Sequence, residues 1–194
     1  MTFPDEKYGI IGAFADDYFD RLTGAAASVD RDRLAQAADL MARTYAAGGT
    51  VFACGNGGSA AISNHLHCDH LKGVQTDTEL RPKVVSLSAT IETITAIAND
   101  ISYDEIFAYQ LRTLAEAGDL LVTVSSSGDS ENVVRACKWA KDNGVSTIAM
   151  TGFDGGRSGD IADINLHVDA DNYGVIEDVH QSLMYILTQF IRQA

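Results

Sequence analysis

The sequence predicts an α/β protein with a three-layer, doubly wound parallel sheet. Short apolar runs recur along the chain and helical patterns separate them, which is typical of parallel strands that crossover helices cover on both faces. Of the 194 residues, 46% are hydrophobic, and that proportion can fill one substantial core. Prolines stand only at positions 4 and 82, so the predicted helices run unbroken. We therefore expect a single domain over residues 1–194.

A helical segment opens the chain and the sheet follows it. From about Tyr8 to Ala47 apolar residues stand at helical spacing, and Ser28-Val-Asp-Arg is a candidate break between two helices. We expect residues 1–48 to form this helical extension and residues 49–194 to form the core. The five predicted strands and the closing helix are Thr50–Cys54, Lys83–Leu87, Leu120–Val124, Ser146–Met150, Ile164–Val168 and about Gly174 to Arg192.

Charge and cysteine usage argue against several classes of function. The 27 acidic and 14 basic residues give a net charge of −13, and no basic cluster is present to neutralise a nucleic-acid backbone. Three scattered cysteines do not make a disulfide framework. The chain start lacks the features of a secretory signal, and no apolar run approaches the roughly 20 residues that span a bilayer. We expect a cytoplasmic protein that binds neither nucleic acid nor membrane.

Two loops at predicted strand ends combine glycine with hydroxyl groups. One follows the first strand, the other follows the third, and both precede a predicted helix. Backbone N–H groups and hydroxyls at two helix starts can surround one phosphate without any basic side chain. The alternative is that each loop shows only ordinary turn and helix-cap chemistry. The candidate phosphate-binding residues are Asn56, Gly57, Gly58, Ser59, Ser125, Ser126, Ser127 and Ser130.

Nucleotide-binding motifs fit the first loop poorly. Gly55-x-Gly57-x-x-Ala60 satisfies a loose dinucleotide fingerprint, but the next strand ends in Val85-Ser-Leu-Ser88, with no carboxylate for a ribose hydroxyl. The Gly-Lys-Ser/Thr of a nucleotide-hydrolysing loop is absent from the sequence. A phosphorylated small molecule is therefore the preferred ligand.

Titratable side chains concentrate in Asn64-His-Leu-His-Cys-Asp-His-Leu71. His65 and Asp69 are four residues apart and share one helix face, as two metal ligands or a base and its orienting partner would. Three histidines, a cysteine and an aspartate within six residues favour a functional interpretation over an ordinary helix surface.

These motifs, with Asn99-Asp100, Thr151-Gly-Phe-Asp-Gly-Gly156 and the closing helix, resemble the sugar isomerase (SIS) domain family over nearly the whole chain. Within it the sequence is most similar to phosphoheptose isomerases. The resemblance implies a flavodoxin-like sheet and a homotetramer with active sites at subunit interfaces. It also implies isomerisation of sedoheptulose 7-phosphate to a heptose 7-phosphate through an enediol, with the serine loop on the phosphate and with Asn99 and Asp100 among the substrate-binding residues.

The same resemblance implies a zinc site, and here the sequence departs from the family pattern. His65 matches the first zinc ligand, whereas Asp69 stands where the family has a glutamate that serves as ligand and base. Glu177 replaces a glutamine ligand, and Tyr185 replaces the catalytic histidine. The implied metal ligands are His65, Asp69 and Glu177, and the catalytic candidates are Asp69, Glu177, His180 and Tyr185.

Two hypotheses remain open at this point. The first is a zinc-assisted isomerase, in which a tyrosine with an ordinary pKa near 10 serves an oxygen and a carboxylate takes the proton. The second is a non-catalytic sugar-phosphate-binding module for regulation or protein interaction. A separate alternative for Tyr185 itself is that it packs in the core. We favour the enzyme, because metal-type and acid–base residues are retained.

Overall fold

A computed structural model of the chain describes residues 3–76 and 78–193. Within these ranges, five strands form one parallel sheet in the order β2-β1-β3-β4-β5. Each predicted strand is confirmed to within one residue at either end. The strands are β1 (Thr50–Gly55), β2 (Lys83–Ser86), β3 (Leu120–Val124), β4 (Ser146–Thr151) and β5 (Ile164–His167).

Helices occupy most of the chain between and around the strands. The predicted break near Ser28 is confirmed, since the first helix ends there and the Asp30 side chain caps the second by accepting from the N–H groups of Asp32 and Arg33. A π-helical turn, His70–Val74, extends α3, and a 3₁₀ turn, Tyr103–Glu105, precedes α5. The helices are α1 (Ile11–Ser28), α2 (Arg31–Ala46), α3 (Gly57–Asp69), α4 (Ile91–Asp100), α5 (Ile106–Leu114), α6 (Glu131–Asp142), α7 (Gly156–Ile161) and α8 (Tyr173–Ile191).

The sheet is buried on both faces, as its continuous apolar strands predict. Neighbouring residues of β3 point to opposite sides: Val122 packs with Met41 and Met184 under α2 and α8, and Leu121 packs with Phe107 under α5. The three-layer, doubly wound arrangement is therefore confirmed. Nowhere in the described ranges does a helix combine the length and the apolar character needed to cross a membrane.

The strand order places a topological switch between β1 and β3. From β1 the chain moves to β2 on one side of the sheet and later returns to β3 on the other. The loops after β1 and β3 therefore leave in opposite directions and open a crevice at the carboxyl ends of the strands. Both glycine- and serine-rich motifs follow these two strands.

Candidate active site

A cavity of about 160 Å³ lies in the crevice between the ends of β1 and β3. We call it the serine pocket. The first turns of α3 and α6 open onto it, so the positive ends of two helix dipoles face the same space. Larger clefts, of about 640 Å³, lie elsewhere, beside Phe3 and beside Tyr109. The serine pocket is lined by Asn56, Ser59, Val124, Ser125, Ser126, Ser127, Ser130, Tyr173 and Glu177.

The loop after β3, Ser125–Ser130, forms one wall of the pocket, and we call it the serine loop. Its backbone is fixed from the sheet side, because the N–H of Gly152 donates to the carbonyl of Ser126 at 2.8 Å. The buried Ser126 hydroxyl has no hydrogen-bond partner among the described residues. A buried hydroxyl without a partner is costly unless a ligand or water completes it. This side chain is therefore suited to an oxyanion held in the pocket.

Backbone packing explains the glycine within the serine loop. Gly128 has φ +65°, and a Cβ atom there would lie 2.0 Å from the carbonyl oxygen of Gly155. Only glycine permits this contact between the loops after β3 and β4. The contact fixes the height at which the serine hydroxyls stand above the sheet.

Asn56 is held by an amide pair that the sequence did not reveal. Its Nδ2 donates to Asn132 Oδ1 at 2.9 Å, and Asn132 Nδ2 donates back to Asn56 Oδ1 at 3.0 Å. The Tyr103 hydroxyl also donates to Asn56 Oδ1, at 2.9 Å. Neither Asn132 nor Tyr103 stands in a motif, so no pattern in the sequence identified them. Together they fix the start of α3, which borders the pocket.

The Glu177 carboxylate enters the same pocket from α8. It lies against the first turn of α3, where a Cβ atom on Gly58 would fall 2.2 Å from Glu177 Oε2. Burial raises the pKa of Glu177 above its ordinary value, and the neighbouring Asp178 carboxylate raises it further. Among the described residues, Glu177 is the one acidic side chain in the pocket lining.

A second group of polar side chains, the His65 cluster, joins α3 to α8. His65 Nδ1 lies 3.1 Å from Gln181 Nε2, and His65 Nε2 lies 3.1 Å from the Tyr185 hydroxyl. Asp69 Oδ1 is 3.4 Å from the same Nε2. Tyr185 is 38% exposed, so it stands at the surface against His65 and not in the core.

The pocket and the cluster lie on one line, which we call the α3–α8 seam. Gly58 on α3 meets Glu177 on α8, and further along His65 on α3 meets Gln181 and Tyr185 on α8. Two helical turns separate Glu177 from Tyr185, or roughly 12 Å along the axis at 1.5 Å per residue. An elongated ligand anchored in the pocket would reach the cluster along this seam.

The three predicted metal ligands do not converge. Glu177 faces the serine pocket, whereas His65 and Asp69 lie in the cluster, and both ring nitrogens of His65 already have partners. Over residues 3–76 and 78–193 no three His, Cys, Asp or Glu side chains are grouped so as to hold a metal ion. The residues present thus supply two of the three predicted ligands at one place.

The predicted site residues His180, Asn99 and Asp100 lie outside both groups. Gly57, also a predicted site residue, begins α3 but is not in the pocket lining. His180 is fully buried, its Nε2 lies 3.1 Å from the carbonyl oxygen of Thr151, and burial lowers its pKa to about 4. This position does not support the predicted role of His180 in proton transfer. Asn99 and Asp100 are exposed at the end of α4 and bond to each other at 2.8 Å, away from the pocket lining.

Comparison with known proteins gives one consistent result. The sequence profile of the SIS domain family matches residues 15–152. The chain is 39% identical over 158 residues to the phosphoheptose isomerase of Nitratidesulfovibrio vulgaris. The aligned part is 80% of this chain and 74% of the relative. It is 36% identical over 161 residues to that of Aliarcobacter butzleri, with coverages of 83% and 85%. The solved structure of phosphoheptose isomerase from Neisseria gonorrhoeae matches with a TM-score of 0.85 at 33% identity, over 95% of this chain and 97% of that one.

Proposed function

The chain belongs to the SIS domain family, and from that premise we propose that it isomerises sedoheptulose 7-phosphate to a heptose 7-phosphate. That it is a sugar-phosphate isomerase follows from its similarity to phosphoheptose isomerases over about four fifths of its length. Beyond that, we propose the substrate, the residues of the site and the assembly. One observation carries it: a small pocket lined by four serines of one loop lies at the switch point of the sheet.

The phosphate group binds in the serine pocket. Hydroxyls of Ser125, Ser126, Ser127 and Ser130 and the N–H groups at the starts of α3 and α6 are its donors. Hydrogen bonds to a charged acceptor are about twice as strong as those between neutral groups, so the pocket needs no basic side chain. The unpartnered Ser126 hydroxyl supports this assignment.

Proton transfer takes place at the His65 cluster. The Asp69 carboxylate removes a proton from the hydroxyl-bearing carbon beside the carbonyl group, and the Tyr185 hydroxyl donates its proton to the carbonyl oxygen, which gives the enediol. The protonated Asp69 then returns the carbon-bound proton to the former carbonyl carbon while the Tyr185 phenolate takes the proton of the neighbouring hydroxyl group, so that the ketose becomes an aldose and both side chains return to their starting forms. His65 orients the Tyr185 hydroxyl, and Gln181 holds His65 in turn.

Glu177 belongs to the binding end of the seam in this scheme. Burial raises its pKa, so Glu177 takes up a proton more readily than an exposed glutamate; when protonated, it can donate a hydrogen bond to a phosphate oxygen where the carboxylate would repel it. This assignment separates the role of Glu177 from that of Asp69.

Zinc would be an alternative use of the same two side chains. His65 and Asp69 would hold the ion, and a bound zinc ion polarises a carbonyl oxygen as a Lewis acid. A carboxylate on a metal ion is a weaker base, so Asp69 would then serve as a ligand and not as the base. Metal analysis of the purified chain and of His65→Asn tests this alternative: a bound ion should be lost in the variant. Equal metal content in the two proteins would place any ion elsewhere.

We also propose a homotetramer in the cytoplasm, with one domain per chain. Exposed apolar side chains on two helices that pack together, Phe19 on α1 and Ile186 and Phe190 on α8, support burial against further copies. Free thiols at all three cysteines fit a reducing compartment. Sedimentation at micromolar concentration should give a tetramer, and a stable monomer would overturn the assembly.

The double variant Ser125→Ala/Ser127→Ala tests the phosphate site. Loss of two hydroxyl donors to a charged group should weaken binding of sedoheptulose 7-phosphate by about tenfold or more. Ser182→Ala is the control, because that exposed hydroxyl on α8 donates only to the carbonyl of Asp178. Unchanged affinity in the double variant would show that the phosphate binds elsewhere.

A further inference from the structure

The serine loop is anchored at its exit by Arg157 of α7. Arg157 Nε donates to Asp129 Oδ1 at 2.8 Å, and Nη2 donates to the Asp129 carbonyl oxygen at 2.8 Å. Its Nη1 reaches Glu131 Oε2, also at 2.8 Å. The backbone N–H of Arg157 adds a fourth bond, to Asp129 Oδ1 at 3.2 Å. Arg157 thus holds Asp129 of the loop and Glu131, the first residue of α6.

Further ion pairs run from Glu131 towards the start of α3. Glu131 Oε1 accepts from Arg135 Nε at 2.9 Å, and Arg135 Nη1 donates to Glu105 Oε1 at 2.8 Å. Glu105 closes the 3₁₀ turn that begins at Tyr103, and the Tyr103 hydroxyl holds Asn56 beside the pocket. Ion pairs therefore link the serine loop to Glu105, and the turn that Glu105 closes connects them to Tyr103, which positions the start of α3.

These arginines do not act as phosphate ligands. No Lys or Arg is among the residues that line the pocket, and both guanidinium groups are engaged by carboxylates. Contacts with Arg135 and Arg157 lower the pKa of Glu131 to about 2, so it is ionised at neutral pH. Ion pairs this exposed to solvent contribute little to folding stability. These ion pairs can instead fix the positions of the two loops that they join.

We propose that the Arg157–Glu131–Arg135–Glu105 chain is a brace that positions both loops of the phosphate site. This inference rests on the proposed function, since the serine pocket must be where phosphate binds. Arg157 and Arg135 are positioning residues in this account: neither touches the substrate. Removing one should lower affinity for phosphate while leaving the chemical step at the far end of the seam unchanged.

Steady-state kinetics of Arg157→Gln test the brace, with inorganic phosphate as a competitive inhibitor. We expect the KM for sedoheptulose 7-phosphate and the inhibition constant of phosphate to rise about tenfold, with kcat kept to within about twofold, as for lost uniform binding. Arg157→Lys should recover part of the loss, because one ammonium group can replace one of the carboxylate contacts. The control is Arg21→Gln, which breaks a surface pair with Asp5 of the same 2.8 Å length.

Asp129→Asn separates positioning from charge. If Arg157 merely offsets the repulsion between Asp129 and phosphate, Asp129→Asn should tighten phosphate binding; a brace predicts that it weakens binding, because the arginine loses an anchor. Tighter binding in Asp129→Asn, or an unchanged inhibition constant in Arg157→Gln, overturns the brace. Asp129→Asn also keeps the test available if Arg157→Gln folds poorly.

The Ser125→Ala/Ser127→Ala variant, measured alongside, identifies which proposal has failed. If it weakens phosphate inhibition while Arg157→Gln does not, only the brace is wrong. If it leaves phosphate inhibition unchanged, the serine pocket is not the phosphate site and both proposals fall together.

Discussion

At one end of the α3–α8 seam Ser59, Ser125 and Ser126 are nearly inaccessible to solvent, whereas at the other end His65 and Tyr185 are more than a third exposed. The first end is built from backbone and hydroxyl groups at strand ends, and the sheet fixes their positions. The second end is built only from side chains of two helices that hydrogen-bond one another. The binding end therefore depends on the fold, and the reacting end on individual side chains.

The difference also indicates how each end tolerates substitution. A change in the serine loop would disturb packing such as the contact between Gly128 and Gly155. A tyrosine at 185 or an aspartate at 69 disturbs no core packing, because both project into the open part of the seam. We expect substitutions at these two positions to alter chemistry more than stability.

The largest expected effect is at the reacting end. Asp69→Asn should lower kcat by roughly a hundredfold or more, because the amide cannot accept a proton and general bases contribute on that scale. KM should change little, since Asp69 lies outside the serine pocket. Steady-state assays on sedoheptulose 7-phosphate measure both constants. Asp39→Asn on the exposed face of α2 is the matched control, and equal losses in the two variants would contradict the role of Asp69.

At the binding end we expect a change at Glu177 to have an intermediate effect, on the affinity for phosphate. Because burial raises the pKa of Glu177 in the folded protein, the stability that this group contributes is present below its unfolded pKa and is lost as pH rises through the folded pKa, and affinity for phosphate should fall over the same range. Glu177→Gln mimics the neutral form, so it should bind phosphate about threefold more tightly near pH 8 and remove this pH dependence. Titration calorimetry with inorganic phosphate between pH 5 and 8 checks the prediction. Abolished turnover with unchanged phosphate affinity would instead place Glu177 at the reacting end.

We expect replacement of His180 to have the smallest effect on turnover at neutral pH. His180 lies one turn from Glu177 on α8 but faces the core. Burial lowers its pKa to about 4, so the folded state binds fewer protons than the unfolded state. Stability should therefore decline as pH falls from about 6.5 towards 4, by on the order of 3 kcal/mol for this group. Buried His70, with a pKa also lowered to about 4, contributes in the same direction.

Thermal melts of the unmodified chain and of His180→Gln between pH 7 and 4.5 test the predicted loss of stability on acidification. The variant should lose less stability on acidification and keep its turnover at pH 7. A large loss of kcat without a change in the acid melt would return His180 to the catalytic group.

The binding end was predictable because its parts are local in sequence. A buried parallel strand is a continuous apolar run, and its loop follows directly, so the end of β3 and the serine loop could both be located from the sequence. The position of Ser28 as a helix end was readable for a similar reason, since Asp30 is a strong N-cap residue. Where local chemistry fixes an element, the sequence shows it.

The relative placement of side chains on different elements could not be predicted in the same way. Glu177 shares a helix face with Tyr185, but whether its carboxylate turns towards His65 or towards Gly58 depends on how α8 packs against α3. His180 has the residue type of a proton donor, and only the tertiary structure shows it against Thr151. Asn132 and Tyr103 owe their role wholly to contacts between distant segments.

Our central claim is that the α3–α8 seam anchors the phosphate at one end and transfers the proton at the other. The most direct test is deuterium incorporation into sedoheptulose 7-phosphate in D₂O, followed by proton NMR at saturating substrate. We predict that the unmodified chain places solvent deuterium on the carbon beside the carbonyl group and that Tyr185→Phe slows this exchange by tenfold or more. Ser125→Ala/Ser127→Ala should exchange at nearly the unmodified rate once saturated. Exchange that is slowed equally in both variants, or that is absent from the unmodified chain, would contradict an anchoring pocket at one end and proton transfer at the other.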